Sequence, residues 1–469
     1  MREKRGAVVI PSVDPSKILK RALKRGGEFA ELFLERTSTC SIVCEDNRIE
    51  RIISGTDAGV GLRVIFDHKT SYGYCNAFSE KGLLELANSV SSAVGAKKER
   101  ADIRVATEPL SLGLEVRVLP DGVPMSQKVA MVQRANQRAR SRDQRVRQVK
   151  VVYRDFNQKV TVANSEGIFV EDNRIGTIFF VQVVSLQDGI TQTGYEPVGG
   201  SIGFELFDMY SPEQVADIAT NRSLLMLGAR EAPMGRMAVV LSSEAGGTMI
   251  HEAIGHGLEA DLVQQGLSVY ARRVGEKVAS SAITVVDDST LPQKRGSFCF
   301  DDEGVSSRRT ILVDRGTLQG YLFDRLTAGR DGVQSTGNGR RESYRYKPVP
   351  RMTNTFIAPG PSNPEEIIRS VGRGLFVKKM GGGQVDTVNG NFVFEVSEGY
   401  LISNGQVGDP VRGATLTGNG PEILKQIDMV GDDIGFTIGT CGKEGQGVPV
   451  ASGQPTLSIP EIVVGGKAE

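Results

Sequence analysis

The sequence predicts an α+β protein of two lobes, each built on mixed and mostly antiparallel sheets with flanking helices. Three observations predict it. At 469 residues the chain exceeds what one hydrophobic core ordinarily serves. Period-two alternation of apolar and polar residues recurs in both halves, punctuated by Asp, Asn and Gly turn signals. Only a few stretches carry apolar residues at helical spacing. Hydrophobic residues at 39% and charged residues at 24% are ordinary for a folded protein, and 56 glycines without any tryptophan suggest many tight turns and bulged strands.

The first lobe is placed at residues 1–232 and the second at 233–469. A charged helix is expected over residues 15–25, followed by several short strands over 30–75 with turns at Asp46-Asn47, Ser54-Gly55 and Asp67-His68-Lys69. Apolar spacing predicts helices over 79–94 and 126–142, the second with an arginine-rich outer face. Alternation over 146–186, with turns at Asp155-Phe156-Asn157 and Asp172-Asn173, predicts an antiparallel meander, and residues 212–227 a helix closing this half. Residues 231–235, Glu-Ala-Pro-Met-Gly, read as the linker. A strand over 237–241 then passes through Ser242-Ser243 into a helix, and glycine-broken strands over 310–323 and 392–416 follow, with brief helices near 364–370 and 421–430. No fixed-period repeat and no low-complexity tract interrupts this pattern.

Composition excludes several functions. Lys plus Arg and Asp plus Glu both total 56, so nothing global points to nucleic acid or an anionic membrane. The apolar run from Ala7 to Ile10 is stopped by Pro11, too short for an export signal, and no stretch approaches the roughly 18 to 20 apolar residues of a spanning helix. Five cysteines, odd in number and irregularly spaced, argue for a reducing cytoplasm rather than a disulfide scaffold.

Only three histidines occur in the chain, and two of them frame His251-Glu252-Ala253-Ile254-Gly255-His256. Neutral imidazoles are good Zn²⁺ ligands, and a nearby carboxylate can take a proton from metal-bound water. The expectation is a zinc peptidase with His251 and His256 as ligands and Glu252 as base; the bland alternative is a buried histidine couple with Glu252 at a helix N-terminus. The spacing carries a geometric demand. Positions i and i+4 lie about 40° apart around an α-helix, whereas i and i+5 lie about 140° apart, so the helix must widen or break within the motif. Gly255 suits a π-bulge or an early helix end there, and HELLGH in dipeptidyl peptidase III shows that such a pair can serve a peptidase zinc site. The overlapping Gly255-His256-Gly257-Leu258-Glu259-Ala260 fits a loose dinucleotide pattern but sits inside the helix rather than at a strand-to-helix turn.

A third ligand is needed, and the sequence offers Glu259, Asp261, Cys299 and Cys441. Cys441 is preferred, because flanking glycines permit close backbone approach and Lys443 is positioned to favour a thiolate. Cys299, in Ser-Phe-Cys-Phe, reads as a small buried apolar residue.

At HEAIGHGLEAD the chain resembles the TldD branch of the TldD/PmbA family of zinc peptidases. Phe300-Asp301-Asp302-Glu303-Gly304, Arg341-Glu342-Ser343-Tyr344-Arg345, Pro350-Arg351-Met352-Thr353-Asn354-Thr355 and Cys441-Gly442-Lys443-Glu444-Gly445-Gln446 extend the likeness in order and spacing over nearly the whole chain. The resemblance implies a bilobal fold, an N-terminal α/β lobe and a C-terminal metallopeptidase lobe, with zinc on His251, His256 and Cys441 and Glu252 as the motif glutamate. PmbA-type (TldE) members lack the metal motif, so this chain resembles the catalytic branch. Such proteins act in the cytoplasm on unfolded or short peptides, and in bacteria as a TldD/TldE heterodimer that trims a peptide-antibiotic precursor and degrades an antitoxin. The resemblance implies a dimer, either with a metal-free PmbA/TldE-like chain or with another copy of itself. The competing reading is a metal-stabilised, non-catalytic binding subunit of a peptidase complex.

His68 falls in a charged turn and reads as solvated. Arg134, Arg138, Arg140, Arg142, Arg145 and Arg147 have only Asp143 opposing them in sequence, but without interleaved aromatics they read as a solvated face rather than a nucleic-acid site. Lys379-Met380-Gly381-Gly382-Gly383 lacks the Gly-Lys-Ser/Thr of a phosphate loop and reads as a hinge or close-packed bulge. Asp301, Asp302 and Glu303 read as a surface turn, a second metal site or an anchor for a substrate amine. The glycine-broken strands predict an open strand edge beside the metal to which an extended peptide adds, and Tyr344, Arg345 or Arg351 is expected to stabilise the oxyanion.

Overall fold

The computed structural model describes residues 13–94, 103–106 and 109–466; the apolar run at Ala7 to Ile10 lies outside them. The first lobe is one sheet made of β1 (Phe29–Glu45), β2 (Arg48–Phe66), β3 (Lys69–Cys75), β4 (Leu110–Gly113), β5 (Val146–Asn164), β6 (Phe169–Gln187) and β7 (Ile190–Gly200), in the order β3-β2-β1-β5-β6-β4, with β7 also on β6. All its pairings are antiparallel except β4 with β6. α1 (Pro15–Ala22) and α2 (Glu80–Ser92) pack Ile18, Leu19, Leu83 and Leu86 against Leu32, Leu34, Leu62 and Val64. α3 (Met125–Ser141), the short α4 (Leu206–Met209) and α5 (Pro212–Gly228) cover Val149, Val151, Phe179 and Val181.

Two-residue turns with both φ positive join the long strands at Asp46-Asn47, Asp67-His68 and Asp188-Gly189, the mirror-image geometry that matches strand twist. Other expected turns are mid-strand. Ser54-Gly55 lies within β2, opposite Cys40 and Thr39. Asp155-Phe156-Asn157 lies within β5, a central strand paired on both sides, and Asp172-Asn173 within β6. The reason is that these acids are buried with partners: Asp155 accepts from Lys128 Nζ at 2.5 Å and Tyr153 Oη at 2.6 Å, and Asp172 from the backbone N–H of Cys299 at 2.9 Å. The strands over 30–75 are accordingly long rather than short.

In the second half, β8 (Arg230–Glu231) occupies the start of the expected linker. It is followed by β9 (Gly235–Leu241), β10 (Val285–Asp288), β11 (Arg309–Asp314), β12 (Thr317–Leu318), β13 (Gly339–Arg340), β14 (Val349–Pro350), β15 (Asn354–Ile357), β16 (Arg373–Val385), β17 (Asn391–Ser403), β18 (Gln406–Arg412), β19 (Thr415–Asn419), β20 (Met429–Val430), β21 (Gly435–Lys443), β22 (Gln446–Gln454) and β23 (Leu457–Gly465). One sheet runs β16-β9-β23-β19-β17-β18-β8, and β16 pairs again with β17, closing five strands into a ring. A second sheet runs β12-β11-β10-β15-β22-β21, leaving β21 at its edge. Val239, Leu241, Leu375, Val377 and Phe394 from the ring share a core with Met249, Ile250, Ala253 and Ile254 of the motif segment.

The seam between the halves is charged and buried. Arg63 pairs with Glu31 at 2.9 Å and with Glu303, Arg341 pairs with Glu31, and Arg174 pairs with Asp302 at 2.6 Å. Asp301, Asp302 and Glu303 are therefore neither a surface turn nor an open anchor for an amine: all three are at most 2% exposed, and seam residues take up their carboxylates. The arginines of α3 also find acids the linear reading missed, Arg134 pairing with Glu213 and Arg138 with Asp217 of α5, both at 2.8 Å.

Candidate metal centre

β9 leads into a tight approach to the site. Gly246 and Gly247 both take left-handed φ, and a Cβ on Gly247 would stand 2.6 Å from the backbone nitrogen of Gly453 in β22. A first α-helical turn, Thr248–Ile250, then widens into a π-helical turn over His251–Gly255 and tightens to a 3₁₀ turn over His256–Leu258. The wide turn puts both imidazoles on one side, with ring centroids 5.0 Å apart and planes nearly perpendicular. Tyr270, fully buried, donates its hydroxyl to the carbonyl of Ala253 at 3.0 Å, satisfying a group inside the irregular winding.

The third side chain comes from the edge strand β21. Cys441 Sγ lies 3.5 Å from His256 Nε2, and ligand atoms of His251, His256 and Cys441 all fall within 4.8 Å of one another. Each imidazole is oriented from behind: His256 Nδ1 by Glu259 at 3.0 Å, His251 Nδ1 by Ser452 Oγ at 3.1 Å. Burial pushes the Cys441 thiol up, but hydrogen bonding to His251 and His256 and the charge on the rings outweigh it and bring the thiol down to about 5. Burial also opposes the charge on His256, yet Glu259 and Cys441 hold it well above the ordinary imidazole value. For Glu259 burial is again overcome, here by His256, Lys443 and Arg351, and its carboxyl is held at about 2.

Of the four third-ligand candidates, Cys441 is the one grouped with both histidines. Glu259 stands behind His256, while Asp261 accepts from Lys443 at 2.6 Å. Cys299 sits at the seam, where burial and then Asp172 push its thiol up to about 11. Lys443 does not bond the thiol; its ammonium goes to Glu259, Asp261 and the Pro350 carbonyl. His68 lies in its turn, its carbonyl accepting from Arg330.

Glu252 is half-buried and, with His251, lines a cavity of about 470 Å³. Its walls come from β7 (Thr193, Tyr195, Pro197), from residues 379–382 and from residues 437–440 of β21. The glycines after Lys379 are a bulged stretch of β16 at this wall. None of the three expected oxyanion donors lines it. Tyr344 and Arg345 are both turned to Asp57, at 3.3 and 2.8 Å, and Arg351, fully buried, donates to the carbonyls of Cys441 and Gln446. Sequence reasoning missed Ser452 and Tyr270, which carry no local motif and join the site only through the packing of β22 and the loop after the motif.

Residues 30–94, 119–227 and 234–466 match, in turn, domain 1, the central domain and the C-terminal domain of the PmbA/TldA metallopeptidases. A metalloprotease TldD homolog of Haemophilus influenzae is 36% identical over 452 residues, covering 94% of each chain. A zinc metalloprotease TldD homolog of Saccharolobus solfataricus is 25% identical, covering 96% of this chain and 99% of its own. Among solved structures, a Thermotoga maritima protein described as a modulator of a DNA gyrase superposes with a TM-score of 0.79 at 22% identity, covering 96% of this chain and all of its own, a likeness of fold.

Proposed function

This chain belongs to the PmbA/TldD metallopeptidase family, and from that premise we propose that it is a zinc-dependent peptidase that hydrolyses unfolded or short peptides with Glu252 as general base. The observation that carries the reading is the convergence of His251, His256 and Cys441, ligand atoms within 4.8 Å, beside a cavity that Glu252 also lines. The donor set fits zinc: two imidazoles and a thiol that already favours its thiolate, with both rings fixed from behind. Three protein ligands leave a fourth position, the arrangement of catalytic rather than structural zinc. Zinc so held supplies Lewis acidity and an acidified water.

This chain's residues do the rest. Glu252 accepts a proton at its carboxylate and returns it to the departing amine. Residues 437–440 of β21, an edge strand, line the cavity and support an extended peptide bound through main-chain hydrogen bonds. The proposal includes lobes dividing near residues 232 and 233, a cytoplasmic setting, and a dimer with a metal-free PmbA/TldE-like chain or with a second copy. Among the described residues no helix is long and apolar enough to cross a membrane.

Elemental analysis and peptide cleavage of wild type and Cys441→Ser test the reading. One zinc per wild-type chain, lost together with cleavage in the variant, supports it; full zinc in Cys441→Ser removes the third ligand.

A further inference from the structure

The wall of the cavity beside Glu252 is braced by a cation that no carboxylate among the described residues pairs with. Arg295, in the segment after β10, donates from Nε to the Gly439 carbonyl at 2.9 Å and from Nη2 to Thr440 Oγ1 at 3.3 Å. Gly439 and Thr440 both line the cavity, as does Tyr195. Its remaining nitrogen, Nη1, is buried without a hydrogen-bond partner, and among the described residues no ion pair joins Arg295 to an acid. Burial first, and then the charge of Arg154, pull the guanidinium down to about 10, with only Tyr195 opposing.

Arg63, Arg174, Arg222 and Arg341 each meet at least one carboxylate. Arg340, like Arg295 depressed by burial to about 10, has Asp302 and Asp287 acting for its charge and Arg174 and Arg351 against it. The charged side chain acting against Arg295 is that of Arg154, and Lys294 adjoins it in the chain. Lys294 lies over the Phe436 ring at 4.4 Å with its ammonium depressed by burial, and Arg154 is exposed. A desolvated guanidinium nitrogen without an acceptor is costly, and it forms a strong, paired interaction as soon as a carboxylate arrives. The Nη2 end lies at the exposed rim beside Thr440, itself part of the cavity wall, so the guanidinium is approached from that side.

We propose that Arg295, in the positive surroundings of Arg154 and Lys294, binds a carboxylate of the peptide held in the cavity, either its C-terminus or an acidic side chain. This rests on the peptidase reading, but its test does not require turnover. Labelled, unstructured decapeptides are titrated onto zinc-loaded, full-length Glu252→Gln protein and binding is read by fluorescence anisotropy. One pair differs only in a C-terminal carboxylate or amide, and a second, amidated throughout, only in one Asp or Asn. The expected result is about ten-fold tighter binding of the charged member of one pair, which identifies the source of the carboxylate. Adding Arg295→Met abolishes the preference, and Arg295→Lys keeps part of it. Equal binding within both pairs overturns the proposal before any arginine variant is made, as does a preference that survives Arg295→Met in folded protein. A preference that stands while the wild-type protein cleaves neither pair contradicts the peptidase reading alone.

Discussion

Glu259 Oε2 lies 3.0 Å from His256 Nδ1, and this contact turns the opposite ring nitrogen, Nε2, toward Cys441 Sγ. The same oxygen accepts from Lys443 at 3.0 Å, so a carboxylate that is fully buried is balanced on two sides. A metal ligand oriented in this way loses affinity when its partner is removed, even though no metal contact is touched.

Glu259→Ala is therefore expected to weaken zinc binding by about 10- to 100-fold, measured by competition with a chromogenic chelator. Unchanged affinity in a folded variant would show that His256 is oriented by something other than Glu259.

Zinc binding at pH 7 is expected to release a proton from His256. The metal-free site holds the Cys441 thiol at about 5 and His256 well above its ordinary value, so at neutral pH the thiolate is already formed and the imidazole still charged. As pH falls through about 5 the thiolate is itself protonated and the release rises. Calorimetry in buffers of different ionisation enthalpy reads the number directly. A Cys441 thiol still protonated at pH 7 in the metal-free protein, read by its thiolate absorbance, would contradict this.

Arg63→Met leaves Glu31 and Glu303 buried without their shared partner and is expected to cost about 3–5 kcal/mol, read as a shift in urea unfolding. Adding Glu31→Gln and Glu303→Gln recovers part of the loss. A cost below about 1 kcal/mol, the scale of a surface pair, would mean the seam is not held by this network.

Tyr344→Phe and Arg345→Met are expected to keep kcat within a few-fold of wild type, because both groups are engaged by Asp57 and neither lines the cavity. A fall of about 10² or more with zinc retained would return one of them to the oxyanion role.

What the sequence reveals and what it hides divide along the range of the interactions. The i, i+5 spacing of His251 and His256 demands a widened helix, and the π-helical turn over His251–Gly255 meets that demand locally. Turn pairs such as Asp46-Asn47 are also legible, since positive φ is a property of two adjacent residues. Asp155 and Asp172 carry the same chemical signal but lie mid-strand, because Lys128 and the backbone at Cys299 reach them from far along the chain, with Tyr153 joining Asp155 from two residues away. Glu259, weighed as a ligand, instead stands behind one, a distinction of a few ångströms that composition does not encode. Lys443 looks like a thiolate neighbour in sequence and shares a face of β21 with Cys441, yet Glu259 and Asp261 take up its ammonium. Arg295 gives no signal at all until the acids that would neutralise it prove to be absent among its described neighbours.

The most direct test of the account is the Glu252→Gln exchange, with zinc content and cleavage of an unfolded peptide measured on the same preparation, with and without a PmbA/TldE-like partner. The account predicts one zinc per chain in both proteins and a loss of kcat of about 10² to 10⁴ in the variant. Near-normal turnover by zinc-loaded Glu252→Gln, or no turnover by zinc-loaded wild type in either setting, would contradict it.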